Sequence, residues 1–295
     1  MKQPYASIVT RILLLALLAA GCAYAQPQRI VSTSPSITET LFAIGAGPRV
    51  VGVSTYCKFP PEAQTLPRIG SYRKPDVEHI LRMRPDLVIL NEDASEAKTR
   101  LHALGLRSMQ VPSGSMADAL TAIHQIGAAA GAEEAALALT KRIQQGILRA
   151  QERTRGKATR TLMIVGRDPD SLTGLIAAGP GSYLGELLEA AGGVNVLEDR
   201  GLPAYPRISL ETVLRLDPDF ILDAGAMGDR PEGTPELRAR VLSPWAVRKE
   251  LKAVRQRRVV PVFSPSFTVP GPRMLEVVDF LAVTLAASPQ GDAAP

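Results

Sequence analysis

One stretch of this chain is written twice. Asp76-Val-Glu-His-Ile-Leu-Arg-Met-Arg-Pro-Asp-Leu-Val-Ile89 returns as Ser209-Leu-Glu-Thr-Val-Leu-Arg-Leu-Asp-Pro-Asp-Phe-Ile-Leu222, aligned position for position. Each copy carries an early Glu, an apolar spacing that suits a short helix, and Pro-Asp ahead of a strand-forming run. A proline steers the residue before it away from the helical region, so each helix stops there and the chain re-enters extended. A repeated helix-stop-strand unit constrains the fold to two similarly built halves. Halves of that kind face each other across a cleft, a common place for a ligand.

The surrounding pattern fills in both halves. Arg29 to Ser36 reads as a short strand running into a loop, and Arg49 to Ser54 as a second strand. Between them, Ile37 to Ile44 reads as a helix closed by Gly45 and Gly47, with Ser36 or Thr38 as its cap. A proline-bounded loop covers Tyr56 to Pro61. The first repeat supplies a helix over Val77 to Met83 and a strand over Leu87 to Leu90. A helix over Lys98 to Leu104, a strand over Arg107 to Val111 and an Ala-rich helix over Met116 to Ala130 then complete an α/β lobe with a largely parallel sheet. Glu133 to about Arg155 has no Pro and places Leu137, Ile143, Ile147 and Leu148 roughly on one face, which predicts one long helix. Gly146 is its single contrary residue, at a propensity cost of about 1 kcal/mol. Past Gly156 the alternation resumes with a strand over Arg160 to Val165, helices over Leu184 to Ala191 and Leu210 to Leu216, and a strand over Phe220 to Leu222.

The expected fold class is α/β: two lobes with largely parallel sheets joined by one long α-helix, with the ligand cleft between the lobes. The expected boundaries are an N-terminal lobe over 26–132, the connecting helix over 133–155, a C-terminal lobe over 156–285 and a disordered tail over 286–295. A helical crossing in place of Gly- and Pro-rich ones implies a stiff pair of lobes.

The first 25 residues read as a secretory signal: Lys2 and Arg11 precede the apolar run Ile12 to Ala20, and Ala23-Tyr24-Ala25 offers a small-x-small cleavage site. The expectation is an exported, periplasmic protein. A rival reading takes Ala19-Ala20-Gly21-Cys22 as a lipoprotein-type site with a lipid anchor on Cys22. Losing Lys2 and Arg11 takes two positive charges from the formal +5 and leaves about +3, which is no nucleic-acid footprint. Cleavage also leaves Cys57 as a lone cysteine, either a small buried hydrophobe or a ligand-facing thiol.

Enzyme signals are poor. His79, His102 and His124 are the three histidines, each in an expected helix, and none has a metal-ligand or nucleophilic spacing with Cys, Asp or Ser. Gly179-Pro-Gly181 before a helix reads as a tight turn or an anion cradle. No reaction and no resident cofactor are expected. A two-lobed metallocluster subunit would need several pocket cysteines. An interaction module is the third class. Glu78 and Glu211 stand early in their two helices, where each complements the helix dipole. Their matched placement adds the expectation that a partner with two basic sockets, such as a symmetric dimeric receptor, docks across them.

The motifs Arg29-Ile-Val-Ser-Thr-Ser-Pro-Ser-Ile-Thr-Glu39, Val50-Val-Gly-Val-Ser-Thr-Tyr-Cys-Lys-Phe-Pro60, Ile69-Gly-Ser-Tyr72 and Glu78 through Val88 carry a resemblance. Gly179-Pro-Gly-Ser-Tyr-Leu, Ala191-Gly-Gly-Val-Asn195, Tyr205-Pro206 to Glu211 and Gly271-Pro-Arg273 extend it over the second half. The chain is similar to the cobalamin-binding periplasmic proteins of ABC importers, a branch of the helical-spine metal-chelate binders. That resemblance implies a monomer that captures a corrinoid and delivers it to an inner-membrane ABC permease dimer, with Glu78 and Glu211 as the docking acids. It implies ligand contacts from Tyr56, Tyr72 and Tyr205, with Phe267 as a replacement contact in its segment and Cys57 in the pocket loop. Two departures stand out: Asn91 stands where one relative has a ligand-contacting aromatic, and Ser264 to Val269 lacks the acid and base that contact the corrin's side chains there. Haem and ferric siderophores are the alternative ligands on the same spine. The haem binders' ligating Tyr would fall at Ser71, and Arg73, Arg167 and Arg207 are the arginines that a siderophore could use.

Overall fold

The computed structural model describes residues 26–156, 158–199, 201–225 and 233–286. The segment expected to be an export signal, Cys22 and residues 287–295 of the expected tail lie outside the described residues, and Ala286 itself closes the last helix.

The first lobe is built on four parallel strands, β1 (Ile30–Ser32), β2 (Val50–Val53), β3 (Leu87–Asn91) and β4 (Ser108–Val111), in the order β2-β1-β3-β4. Every residue of β3 is buried, as expected of a parallel strand covered on both faces. Its helices are α1 (Pro35–Ala43), α2 (Val77–Arg82), α3 (Ser95–Ala103) and α4 (Met116–Ala130). The bounds of α4 follow from local chemistry. The Ser115 hydroxyl and Asp118 carboxylate form a reciprocal capping box at one end, and Gly131 takes a left-handed φ of 65° at the other. At α1 the structure departs from expectation: Ser34 is the cap residue, Pro35 opens the first turn, and Thr38 points inward to Ser32.

The second lobe centres on β5 (Thr159–Gly166). It pairs in parallel with β8 (Phe220–Asp223) on one side, and on the other with antiparallel β6 (Ile176–Ala177) and parallel β7 (Gly193–Asn195). Strand β9 (Val259–Pro261) adds to β8 in parallel. Helices α6 (Tyr183–Ala190), α7 (Leu210–Leu216), α8 (Pro235–Ala246) and α9 (Lys252–Arg255) surround it.

The two copies of the repeat are the same structural unit. Asp76 caps α2 by accepting the His79 amide at 2.9 Å, and Ser209 caps α7 by accepting the Thr212 amide at 3.1 Å. Arg84 and Asp217, each ahead of a proline, take left-handed φ values of 48° and 37° and turn the chain out of the helix. The Asp of Pro-Asp then ties the next strand to the start of its lobe's first strand. Asp86 bonds the Arg29 carbonyl through its amide and accepts the Gln28 and Arg29 amides at 2.7 and 3.0 Å, and Asp219 bonds the carbonyl and amide of Arg160 at 2.8 and 3.2 Å.

The connecting helix, α5, runs from Glu133 to Thr154, and the last helix, α10 (Met274–Ala286), packs along it. The face α5 buries is Ala136, Leu139, Ile143, Ile147 and Ala150, with Gly146 among them. Leu137 and Leu148 are each 60% exposed, which corrects the expected stripe. They lie about three turns apart, roughly 80–140° around the helix from Ile143 and Ile147. Gly146 has a packing reason: a Cβ there would overlap the Leu275 side chain of α10. The inner faces of both lobes and the spine share one continuous apolar core from Ile30 to Leu285, while each outer face has its own smaller cluster.

Candidate ligand cleft

A cleft of about 920 Å³ opens between the lobes. From the first lobe it is lined by Ser34 and Ser36 beyond β1, Tyr56, Lys58 and Phe59 beyond β2, Asn91 and Asp93 at β3, and Ser113 beyond β4. These are the carboxyl ends of a parallel sheet, where loops diverge and leave room for a ligand. The second lobe contributes Phe263, Pro265, Thr268, Val269, Pro270 and Arg273.

Tyr56 and Tyr72 come from separate loops that backbone bonds zip together. The Thr55 amide donates to the Gly70 carbonyl at 2.9 Å, Ile69 N–H to Val53 at 2.9 Å, and Gly70 takes the φ of 89° the turn requires. Arg68 ties the same loop from below, donating to the Ser54 and Cys57 carbonyls at 3.1 and 2.9 Å. The two phenol rings meet edge to face with centroids 5.7 Å apart, and Tyr56 is 54% exposed. Both residues line the cleft and make an aromatic wall on its first-lobe side.

Cys57 turns the other way. It is fully buried, its sulfur 3.1 Å from the donating Thr38 hydroxyl and 3.2 Å from Ser54 Oγ, and burial pushes its thiol pKa up. It does not line the cleft. Phe267 does not either: it is 2% exposed and packs edge-on against Phe280 of α10, so Phe263 is the ring its segment presents to the cleft. Tyr205 stands half-exposed on the loop whose Ala204 carbonyl accepts the Gly179 amide, and it is not among the residues lining the cleft. Burial, reinforced by Glu186, raises its phenol pKa. Glu78 and Glu211 are exposed in the first turns of α2 and α7. Of the three arginines considered for an anionic ligand, Arg167 is buried against Asp223 at 2.9 Å, an acid that also accepts the Trp245 indole at 2.7 Å. Arg73 and Arg207 are exposed, Arg73 lying 5.9 Å from the Tyr72 ring.

Sequence reasoning missed the bond that spans the cleft floor. Arg273 of the second lobe makes a two-pronged ion pair with Glu39 of the first, at 2.6 and 2.9 Å, and lies 4.3 Å over the Phe59 ring. Burial pushes the Glu39 carboxyl up and works against the charge on Arg273 as well, yet each partner favours the other's ionised form, and the bidentate geometry decides for the charged pair. Glu39, Phe59 and Arg273 also line a second cavity of about 790 Å³, so they form the partition between it and the cleft. A second tie joins the lobes where Glu186 of α6 accepts the Met116 amide at the start of α4, at 2.6 Å. Both motif ends were visible in the sequence, but no local spacing pairs positions 39 and 273.

Among the described residues no group of three or more His, Cys, Asp or Glu side chains could hold a metal ion, and no helix is long and apolar enough to cross a membrane. Fold and site define a two-lobed, spine-joined binder with an open cleft. The chain belongs to the periplasmic binding protein family, whose model matches residues 30–262. Among its relatives is a vitamin B12-binding protein of Salmonella choleraesuis (strain SC-B67), 31% identical over 77% of this chain and 82% of the relative. Another is an uncharacterised ABC transporter substrate-binding lipoprotein of Bacillus subtilis (strain 168), 28% identical over 88% of this chain and 80% of the relative. Among solved structures, the apo periplasmic heme-binding protein of Roseiflexus sp. RS-1 superposes with a TM-score of 0.72 at 26% identity, covering 88% of this chain and 98% of that one.

Proposed function

We propose that this protein is the exported substrate-binding protein of an ABC importer, that it captures a corrinoid in the interlobe cleft, and that it hands it to a permease dimer docking on Glu78 and Glu211. The observation that carries the ligand reading is the open Tyr56 and Tyr72 wall facing a cleft of about 920 Å³. A large, flat, partly apolar ring gains roughly 25 cal/mol for each Å² it buries against such walls. The vitamin B12-binding relative supports the same ligand class. Docking is supported by the identical local setting of the two acids, each exposed on the first turn of a capped helix in its own lobe. We assign the protein no reaction: its three histidines lie on three different helices of the first lobe, away from the residues that line the cleft.

Haem is the second reading, favoured by the heme-binding structural neighbour. Against it stands Ser71, whose hydroxyl accepts the Lys74 amide at 3.1 Å within a turn, at the position where the resemblance would place a ligating Tyr. Calorimetric titration with cyanocobalamin, cobinamide, haemin and a ferric siderophore tests the ligand. Tight one-to-one corrinoid binding that weakens in Tyr72→Ala is expected. A preference for haemin or the siderophore overturns the ligand and leaves the transport role, and binding of none overturns both.

A further inference from the structure

Between their caps and their proline stops, the two repeated helices agree at the surface and differ in the core. The inward positions of α2 and α7 all vary: Val77 against Leu210, His79 against Thr212, Ile80 against Val213. Val77 and Ile80 pack into the outer cluster of the first lobe, and Leu210 and Val213 into that of the second. The positions that match are the exposed ones: Glu78 with Glu211, Leu81 with Leu214, and Arg82 with Arg215. A buried position answers to its neighbours, while a solvated one is nearly free to change. Here the free positions are the ones that repeat. A Glu and an Arg four residues apart support each other along a helix, which accounts for the charges and leaves the leucines unexplained. Leu81 is 41% exposed and Leu214 36%. One exposed leucine needs no explanation, but the same leucine at the same register on both lobes does.

We propose that Leu81 and Leu214 are apolar anchors of the docking surface, each entering a hollow on the permease dimer beside the basic group that meets Glu78 or Glu211. This rests on the docking reading and deepens it, and it is independent of the ligand. Residues three and four apart share a helix face, so each lobe presents an acid, an apolar side chain and a base as one patch. Two copies of one patch fit a partner with two copies of one socket, as a symmetric dimer has. The chemistry of that socket follows from the patch: a cation for the glutamate, an apolar hollow for the leucine and an acceptor for the arginine. The glutamates select the partner by charge, and the leucines add the area that water gives up on contact.

The test is competition for right-side-out membrane vesicles from the organism that makes the protein. Labelled native protein is displaced by unlabelled native protein, Leu81→Ser, Leu214→Ser, the double leucine variant, Glu78→Lys with Glu211→Lys, and Leu148→Ser on the spine helix α5 as a control. Each single leucine variant should compete about fivefold more weakly, the effect of burying the exposed two-fifths of one leucine. The two should lose similar factors, and the double variant roughly the product of both. Leu148→Ser should compete as the native protein does. All variants should unfold at the native temperature, and Leu→Met at both sites should compete at the native level, which separates lost contact from lost fold. Leucine variants that compete like the native protein while the glutamate variant does not, or a loss at one leucine alone, or an equal loss in Leu148→Ser, overturn the proposal and leave the docking acids in place. Sedimentation that shows a dimer of the native protein abolished in the leucine variants gives the patch to a second copy of this chain and overturns it as well. A glutamate variant that competes like the native protein, or vesicles that bind no native protein, overturns the docking reading and this proposal with it.

Discussion

The helix-stop-strand unit of the first lobe (76–89) and that of the second (209–222) share a backbone plan and differ in how they are tied down. In the first, both bonds that matter are made by carboxylates: Asp76 caps the helix and Asp86 grips two amides at the start of β1. In the second, the neutral Ser209 caps the helix. There Asp219 holds one amide and the Lys252 ammonium, while Asp217 accepts the Lys252 amide at 2.8 Å, so the unit leans on α9. Two sequences reach one geometry because the geometry needs an acceptor at the cap, a left-handed residue before the proline and an acid after it. The charge at the cap and before the proline is free to vary, and with it the response to pH.

The largest effect should come from treating the two units as one docking surface. Reversing both acids, Glu78→Lys with Glu211→Lys, should abolish ligand uptake in cells and leave ligand affinity in solution intact. Each single reversal should cost about tenfold or more in uptake, and by similar factors. A single reversal without effect would make the surface one-sided, and loss of affinity in the double variant would move these acids from docking to binding.

Next in size is the anchor after the proline. Asp86→Ala removes two bonds from a charged acceptor and should destabilise by roughly 2–3 kcal/mol in urea unfolding, against roughly 1–2 kcal/mol for Asp219→Ala, which loses one amide bond and a half-exposed lysine. Equal losses would erase the difference between the units. The cap of the second unit is smaller still: Ser209→Ala should cost about 1 kcal/mol.

The subtlest difference is in acid. The His79 amide bond holds the Asp76 pKa below its ordinary 3.8. A depressed carboxyl stabilises the fold above its ordinary value, and that contribution disappears as pH falls through the lowered one. Ser209 does not titrate. Hydrogen exchange at the His79 amide should therefore accelerate relative to Thr212 as pH drops below about 4, after correction for intrinsic rates. Exchanging the caps, Asp76→Ser with Ser209→Asp, should move that sensitivity to the second lobe, and a sensitivity that stays at His79 would place its origin elsewhere.

Local chemistry explains what could be read without coordinates. The bounds of α4 and α7 and the near-matching spine were legible because caps, prolines and apolar periodicity act within a few residues. The exposed Leu137 and Leu148 were misread because an apolar spacing tells how residues share a helix and not which side a partner will cover. Tyr56 and Cys57 are neighbours in sequence, yet one faces the cleft and the other the core; that choice is made by the Arg68 and Gly70 bonds that fold the loop. The resemblance places Phe267 at the cleft as its segment's replacement contact, and α10 takes that ring for the core.

By itself, then, the sequence determined two repeated α/β lobes, a helical joint, and a matched pair of surface acids, all consequences of short-range capping, proline stops and periodic burial. The tertiary structure alone decided which rings face the cleft and that Glu39 and Arg273 close its floor. Those outcomes depend on groups as much as 234 residues apart meeting across a shared core, and nothing in the spacing along the chain encodes that meeting.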